Sequence, residues 1–324
     1  LAAAAAAAAA ATAAAAGLWV TEEVLRVVPS EVIGRYFYSA RHASLVLGAV
    51  GHATQMATPG LYHEDTPLHI PCSDGEPGAR TVTKRVWRFC SNGLYFGITQ
   101  YVDAFTEEEI LEVEGAVNDK LEREKRARAV AVSADRTPPM SLSVTEANNR
   151  YKIFCGYRYT YNEKEGAKGG KQHKTRAERE IPELFDDVDP MPNWLLRLGE
   201  RAEKVGAVQS KDFFDMGVLN IYTTPGASLS VHVDPKSLFK RPIVSTRFFG
   251  DGVLSFGAKG QYAGQRIHTI PQPRGAITVM ERYAADMVTH AVVVGDNKGK
   301  ACSVMLRGCV QKAMDDAKKK KQGE

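Results

Sequence analysis

The sequence predicts a mostly β protein with flanking helices, in the α+β class, built as a β-sandwich or jelly roll. Beyond residue 213 the chain contains eight short apolar runs separated by Gly, Pro and Asp: GVLNIY, SLSVHVD, PIVSTRFF, GVLSFG, QRIHTI, GAITVM, THAVVV and CSVMLR. Short strands at such close spacing are typical of antiparallel sheets that pack face to face. They argue against a parallel sheet, whose strands alternate with helices.

Two stretches before these runs predict the flanking helices. Thr106 and Glu109 form a capping-box pattern, which predicts a long helix that ends near Arg128. A short helix is predicted to begin at Pro192, because proline is favoured in a first helical turn and apolar residues at helical spacing follow it.

Length and composition predict one substantial domain with appendages. The chain has 324 residues, of which 44% are hydrophobic and 25% charged. We expect four regions: an alanine-rich low-complexity segment at 1–16, an N-terminal region of unknown role at 17–92 that includes a loop at 58–77, the main domain at 93–312, and a solvated basic tail at 313–324.

Charge and cysteine content exclude several classes of protein. The net charge of +4 is small for this length, so the whole surface is not predicted to attract polyanions. Five cysteines without a CxxC pair predict neither a disulfide framework nor a structural zinc site, and they favour a reducing compartment, the cytoplasm or the nucleus. The alanine-rich start is too weakly apolar for a signal peptide or membrane span. We expect a monomer with no membrane partner.

Aromatic and basic residues alternate from Arg150 to Tyr161, which predicts a strand or hairpin with one polar face. The next stretch, 162–180, mixes glycines with lysines and predicts a flexible basic loop. Unpaired bases stack on aromatic rings while cationic side chains contact phosphates, so this segment is a candidate for binding single-stranded nucleic acid. A solvated charged loop is the alternative interpretation.

A candidate metal site lies in the predicted strands. Residues i and i+2 of a strand point the same way, so His232 and Asp234 can share one metal ion, and His290 begins a later strand. Two imidazoles and one carboxylate form the facial triad of non-haem Fe(II) oxygenases. His63 and Asp65 have the same spacing, but they lie among prolines without strand alternation, and we expect them not to converge on a metal.

Further polar residues accompany the candidate triad. Asn220 and Tyr222 are again i and i+2 on a predicted strand, and Arg307 follows on the last strand. A dicarboxylate co-substrate needs a fixed cation for its far end, which a guanidinium group supplies with two hydrogen bonds.

The stretch HVDPKSLFKRPIVSTRFFGDGVLSFG, together with RGAITVM, YAADMVTH and Arg307, resembles the AlkB-type 2-oxoglutarate and Fe(II)-dependent dioxygenases. Within that family it is most similar to the branch that demethylates N6-methyladenosine in RNA. The resemblance covers about residues 95 to 310. It implies a double-stranded β-helix, a distorted jelly roll, with the iron at its open end.

The resemblance also implies roles for individual residues. The catalytic iron ligands are expected to be His232, Asp234 and His290. Co-substrate contacts are expected from Asn220, Tyr222 and Arg307. The nucleotide-recognition segment at 150–180 is expected to hold the substrate through Arg150, Lys152, Tyr159 and Tyr161.

The implied reaction is oxidative demethylation of N6-methyladenosine in single-stranded RNA. Fe(II), 2-oxoglutarate and O2 would be used, and formaldehyde, succinate and CO2 released. Two rival functions stay open: repair of alkylated DNA bases by the same machinery, and an RNA-binding module with an impaired co-substrate site.

One departure from the family pattern motivates the last rival. The family ends in two arginines six residues apart, the first of which pairs with 2-oxoglutarate, and this chain has Ala301 six residues before Arg307. Lys300 is adjacent, but strand alternation points it to the opposite face unless a bulge intervenes. Lys300 or another cation compensates, or 2-oxoglutarate binds weakly, or this form is impaired.

Overall fold

The structure is a computed structural model that describes residues 62–71, 79–91, 94–145, 150–163, 180–258, 268–292 and 299–323. The alanine-rich segment and most of the predicted basic loop at 162–180 lie outside these residues. The chain divides into two units, Leu1–Pro59 and Gly60–Glu324, and all described residues belong to the second.

Fifteen strands and four α-helices make up the described part of the chain. The strands are β1 Tyr62–Pro71, β2 Ala79–Ser91, β3 Leu94–Val102, β4 Leu142–Thr145, β5 Arg150–Cys155, β6 Arg158–Glu163, β7 Glu180–Phe185, β8 Met216–Tyr222, β9 Leu229–His232, β10 Ile243–Phe248, β11 Gly252–Ala258, β12 His268–Gln272, β13 Ile277–Met280, β14 Val288–Val292 and β15 Ala301–Arg307. The helices are α1 Glu107–Ser133, α2 Asn193–Lys204, α3 Arg282–Asp286 and α4 Gln311–Gln322, with a short 3-10 helix at Lys211–Phe213.

The strands form two main sheets and confirm the predicted mostly β fold. The large sheet has the order β1-β2-β3-β13-β10-β15-β8-β5-β4, the small sheet has the order β12-β11-β14-β9, and β6 pairs with β7 separately. The eight predicted runs are β8 to β15. They cross between the two sheets as a double-stranded β-helix does, with β8, β10, β13 and β15 in the large sheet and the other four in the small one.

Side-chain alternation gives the large sheet two different apolar faces. On its inner face, Val218 and Met305 pack in one cluster with Phe256 of the small sheet. On its outer face, Leu219 and Val304 pack with Val117 of α1. Because each fully buried aliphatic side chain contributes about 1.5–3 kcal/mol, both layers stabilise the sheet. The inner face, between the sheets, is where polar side chains could form a site.

Both predicted helices are confirmed. Helix α1 begins after Thr106, whose hydroxyl accepts a hydrogen bond from the Glu109 backbone N–H while the Glu109 carboxylate accepts one from Thr106 N–H. Helix α2 begins at Asn193, directly after Pro192. Within the described residues no helix is long and apolar enough to cross a membrane.

Three expectations about the ends of the domain were wrong. The predicted loop at 58–77 contains β1, and the compact unit starts at 60 rather than at 93, because β1 and β2 extend the large sheet beyond β3. The predicted tail forms helix α4, in which Met314 and Ala317 are buried. Lys320 and Lys321 are ion-paired with Glu183 and Asp186 (2.9 and 3.1 Å) rather than surrounded by solvent alone.

The predicted hairpin at 150–161 is two strands that do not pair with each other. Strand β5 joins the large sheet, whereas β6 pairs with β7. The chain changes direction at Gly156, which has a φ of 81°, and a Cβ there would lie 2.3 Å from the Asp215 carbonyl oxygen. Only glycine fits this turn.

Candidate metal and co-substrate site

The structure brings His232, Asp234 and His290 together. His232 ends β9 and lies opposite His290 of β14, with the two ring centroids 4.2 Å apart. Asp234 follows β9, and its Oδ2 lies 3.8 Å from His290 Nε2. One ligand atom from each residue lies within 4.8 Å of the others, which is close enough for one metal ion to contact all three.

The buried polar atoms of this group fit a metal ion. Asp234 and His290 are buried, yet Asp234 Oδ2 and both ring nitrogens of His290 make no hydrogen bond to the described residues. An unsatisfied buried polar group costs about 1–3 kcal/mol, so such groups are rare without a ligand. Two nitrogen donors and one carboxylate suit Fe(II) and leave positions for other ligands.

The protonation states of these three residues also favour metal binding. Burial lowers the pKa of His290 to about 3 and also lowers the pKa of His232. Burial raises the pKa of Asp234, but nearby positive charge, that of Arg307 foremost, outweighs it and leaves this pKa below its usual value. At neutral pH both imidazoles are therefore neutral and the carboxylate is ionised, as metal ligands must be.

Hydrogen bonds orient two of the three ligands. The His232 Nδ1 lies 2.8 Å from the Ser230 carbonyl oxygen, which can only accept, so Nδ1 carries the proton and Nε2 is left for the metal. Arg307 Nη2 donates to Asp234 Oδ1 at 2.6 Å, which leaves Oδ2 for the metal. Arg241 Nη2 donates to the Asp234 backbone carbonyl at 2.7 Å and so holds the segment that follows β9.

The second motif, His63 and Asp65, does not form such a group. Both residues lie on β1 and are exposed, and both carboxylate oxygens of Asp65 accept hydrogen bonds from Arg85 at 2.8 and 2.7 Å. Among the described residues no further His, Cys, Asp or Glu completes a metal group with them. The choice of His232 and Asp234 over this motif stays a prediction, and the expectation that His63 and Asp65 lie outside a strand was wrong, because β1 includes them.

Four of the expected co-substrate and substrate residues lie on the inner face of the large sheet: Asn220, Tyr222, Arg150 and Lys152. Tyr222 lies between Arg150 and Ala301 on neighbouring strands. In the adjacent row, Asn220 lies between Lys152 and Ser303. The Asn220 Oδ1 accepts a hydrogen bond of 3.3 Å from Arg150 Nη1, and burial raises the pKa of Tyr222 to about 12, so its hydroxyl stays a donor.

The aromatic residues near this face surround Lys152. Its Nζ lies 4.8 and 4.5 Å from the ring centroids of Phe154 and Tyr159, and burial lowers its pKa. Tyr159 also packs edge-on against Phe239. The backbone of Tyr161 lies on β6, and its side chain is outside the described residues.

Arg307 and Lys300 were also expected to contact the co-substrate. Arg307 bonds to Asp234, so it reaches the metal ligands directly. Lys300 does not come to the site. It is exposed, its Nζ bonds to Asn118 of α1 and lies 4.5 Å from the ring centroid of Phe249, and α1 covers the outer face of the sheet. Strand alternation without a bulge is the reason.

Sequence reasoning missed Arg241 and Arg247. Arg241 bridges the Asp234 carbonyl and the Asp286 carboxylate (2.7 and 3.0 Å), and no local pattern marks it. Arg247 is fully buried on the inner face of β10, opposite Ser303. An arginine among the alternating apolar residues of PIVSTRFF was a signal that could have found it.

Comparison with known proteins adds a sequence relationship to this geometry. No family model matches the chain. It is 32% identical to the RNA demethylase ALKBH5 of Mus musculus over 215 residues, which is 65% of this chain and 50% of that protein. It is 33% identical to the protein of the same name from Xenopus tropicalis, over 65% of this chain and 55% of the relative.

The resemblance to the AlkB-type dioxygenases is confirmed. The chain spans about half the length of the curated relatives it matches. The AlkB-type resemblance and the His-Asp-His group together fit Fe(II) as the metal, with 2-oxoglutarate and O2 as co-substrates.

Solved structures also match the chain, two of them as follows. One described as the structure of OsALKBH1 matches with a TM-score of 0.37 and 9% identity, over 65% of this chain and 96% of that one. The other, an oxidoreductase of the 2OG-Fe(II) oxygenase family from Burkholderia pseudomallei, matches with a TM-score of 0.33 and 12% identity, over 65% and 84%.

Proposed function

We propose that this chain is an Fe(II)- and 2-oxoglutarate-dependent dioxygenase that demethylates N6-methyladenosine in single-stranded RNA. The observation that carries the proposal is the buried group of His232, Asp234 and His290, whose ligand atoms lie within 4.8 Å of one another and are in part without hydrogen bonds to the described residues. The similarity to RNA demethylases supports RNA as the substrate class.

Different residues of the chain would bind the metal, the co-substrate and the methylated base. Bound Fe(II) supplies the redox chemistry that couples O2 and 2-oxoglutarate to hydroxylation of an N-methyl carbon. Ser230 and Arg307 hold His232 and Asp234 in ligating orientations. Asn220 and Tyr222 would offer hydrogen bonds to 2-oxoglutarate, and Tyr159 and Lys152 would contact the methylated base and its phosphate.

A single-stranded substrate follows from the chemistry. An enzyme that oxidises a group on a base must first remove that base from any stack, which costs a few kcal/mol in a duplex and less in a single strand. Once hydroxylated, the N-methyl group leaves as formaldehyde and restores adenine.

The direct test is product formation from a methylated RNA oligonucleotide. With Fe(II), 2-oxoglutarate and O2, we expect formaldehyde and succinate to appear in equal amounts. His232→Ala and Asp234→Ala should abolish both products while the protein stays folded by circular dichroism. His63→Ala is the matched control, because it changes the other motif, and it should retain full turnover.

Two rival functions give different results in the same assay. Faster turnover of alkylated DNA than of methylated RNA would favour base repair. RNA binding without succinate or formaldehyde, even at high 2-oxoglutarate, would show a binding module and overturn the enzyme assignment.

A further inference from the structure

The inner face of the large sheet contains a guanidinium group next to the position where the AlkB pattern is interrupted. In that pattern an arginine at 301 pairs with 2-oxoglutarate, and this chain has Ala301, whose neighbour on β8 is Tyr222. The alanine side chain is too short to occupy the space that an arginine at this position would fill. What lies in that space decides whether the co-substrate can still be anchored.

Arg247 reaches this space from the strand on the other side of β15. It lies on β10, opposite Ser303, whereas Tyr222 lies on β8. Adjacent strands are about 4.8 Å apart, so β10 and β8 are about 10 Å apart. The Arg247 guanidinium carbon nevertheless lies 5.8 Å from the Tyr222 ring centroid. The Arg247 and Tyr222 side chains therefore approach each other over β15, near Ala301 and Ser303.

The guanidinium group is buried and held in place. Arg247 is 1% exposed, its Nε donates to the Gly250 carbonyl at 3.2 Å, and its Nη2 donates to the Asp251 carbonyl at 3.4 Å. Both acceptors belong to the turn between β10 and β11. A guanidinium group is a planar fork of N–H donors, a geometry that suits two parallel hydrogen bonds to a carboxylate.

Gly252 of the small sheet leaves room for this arrangement. A Cβ at that position would lie 2.5 Å from both Cζ and Nη2 of Arg247. Any other residue at 252 would therefore displace the guanidinium group, at low cost to the fold because the clash is with the end of a flexible side chain. The two sheets together fix where the charge lies.

We infer that Arg247 is the cation that binds the far carboxylate of 2-oxoglutarate in this chain, in place of the arginine missing at 301. The inference rests on the proposed function. It assigns Arg247 as a co-substrate-binding residue, with Gly252 as the residue that allows it to occupy this position. Lys300, the compensating cation that the sequence suggested, is excluded because it lies on the outer face.

Binding to Mn(II)-loaded protein tests the inference without turnover. Isothermal titration would compare 2-oxoglutarate with 2-oxopentanoate, which has the same 2-oxoacid end but no far carboxylate. Arg247→Met should weaken 2-oxoglutarate about 10- to 100-fold, the usual loss for a hydrogen bond to a charged group, and should leave 2-oxopentanoate unchanged. Lys300→Ala is the matched control and should change neither affinity.

Two further variants keep the test valid if Arg247→Met folds poorly. Gly252→Ala retains the arginine but displaces it, so it should also weaken 2-oxoglutarate selectively, with no further loss when combined with Arg247→Met. Moving the guanidinium group back to the family position, in Arg247→Ala with Ala301→Arg, should recover most of the lost affinity.

The outcomes separate this inference from the proposed function. Parent protein that binds 2-oxoglutarate, with Arg247→Met and Gly252→Ala binding it equally well, would overturn the inference alone. Equal losses for both oxoacids would overturn it too, because Arg247 would then act only through the fold. Parent protein that binds Mn(II) but no 2-oxoglutarate would overturn the proposed function, and the inference with it.

Discussion

At the scale of single residues, the site consists of a few buried charges that depend on one another. Asp234 is buried and faces two imidazoles, and the charge of Arg307, which bonds to it, is the largest influence that lowers its pKa. Sequence reasoning found the triad because i and i+2 on a strand is a local pattern. It could not find Arg241, because its partner Asp286 is reached only after distant elements are brought together. Arg247 was missed although its position in an apolar strand marks it.

Arg307→Met should expose the dependence of Asp234 on its ion pair. Removing one partner of a buried pair costs about 3–5 kcal/mol, since the other charge is left uncompensated. We expect this loss of unfolding free energy in metal-free protein and a smaller loss with Mn(II) bound, because the ion then neutralises Asp234. Urea unfolding with and without Mn(II) measures both. Equal losses in the two conditions would show that the Arg307–Asp234 bond is independent of the metal site.

The lowered pKa of His290 predicts a pH dependence for metal-free protein. Between the unfolded value of 6.5 and the folded value of about 3, the unfolded chain binds a proton that the folded chain does not. Stability contributed by neutral His290 is therefore present above pH 6.5 and is lost as the pH falls, by about 1.4 kcal/mol per pH unit for one proton.

His290→Gln tests that dependence. We expect it to lose less unfolding free energy than the parent between pH 6.5 and 4.5, a window above the titration of ordinary Asp residues. Parallel pH profiles for the two proteins, measured by urea unfolding, would contradict neutral burial of His290.

At the scale of elements, predictions succeeded where the signal was local and failed where it was not. Strands β8 to β15 alternate with turn residues, and the capping box marks the start of α1, so both were predictable. Strand β1 was missed because its prolines indicated a loop, whereas pairing along its whole length with β2 stabilises it. Helix α4 was missed because its lysines obscured Met314 and Ala317.

The N-terminal cap of α1 makes a measurable contribution. Thr106→Ala removes the hydroxyl that accepts a hydrogen bond from the Glu109 N–H at 3.1 Å. Loss of such a cap costs about 1 kcal/mol. We expect a lower thermal midpoint and unchanged Mn(II) affinity, since α1 packs on the outer face of the sheet. A drop in Mn(II) affinity would instead couple this helix to the site.

Helix α4 should behave as part of the folded domain. Met314→Ala removes a buried side chain and should cost about 2–5 kcal/mol of unfolding free energy. Lys318→Ala, on the exposed side of the same helix, should stay within about 0.5 kcal/mol of the parent. If both variants had equal and small effects on the free energy of unfolding, residues 311–322 would be a solvated tail rather than part of the folded domain.

At the scale of the whole molecule, the candidate site combines side chains from two sheets, and neither sheet contains the full set. The small sheet supplies His232 and His290, and the large sheet supplies Arg307, Asn220 and Tyr222. The fold class was predictable because eight short strands in sequence leave few other architectures. The register that places Arg247 opposite Ser303, with its guanidinium group near Tyr222, was not predictable, because a shift by one residue would move every side chain to the other face.

The most direct test of the central claim is metal stoichiometry. Anaerobic titration of the metal-free protein with Fe(II) should show one ion bound per chain. That binding should be lost in His232→Ala and in Asp234→Ala, and it should be unchanged in His63→Ala. One ion still bound per chain in a His232→Ala, Asp234→Ala double variant, or no ion bound by the parent, would contradict the assignment of this site.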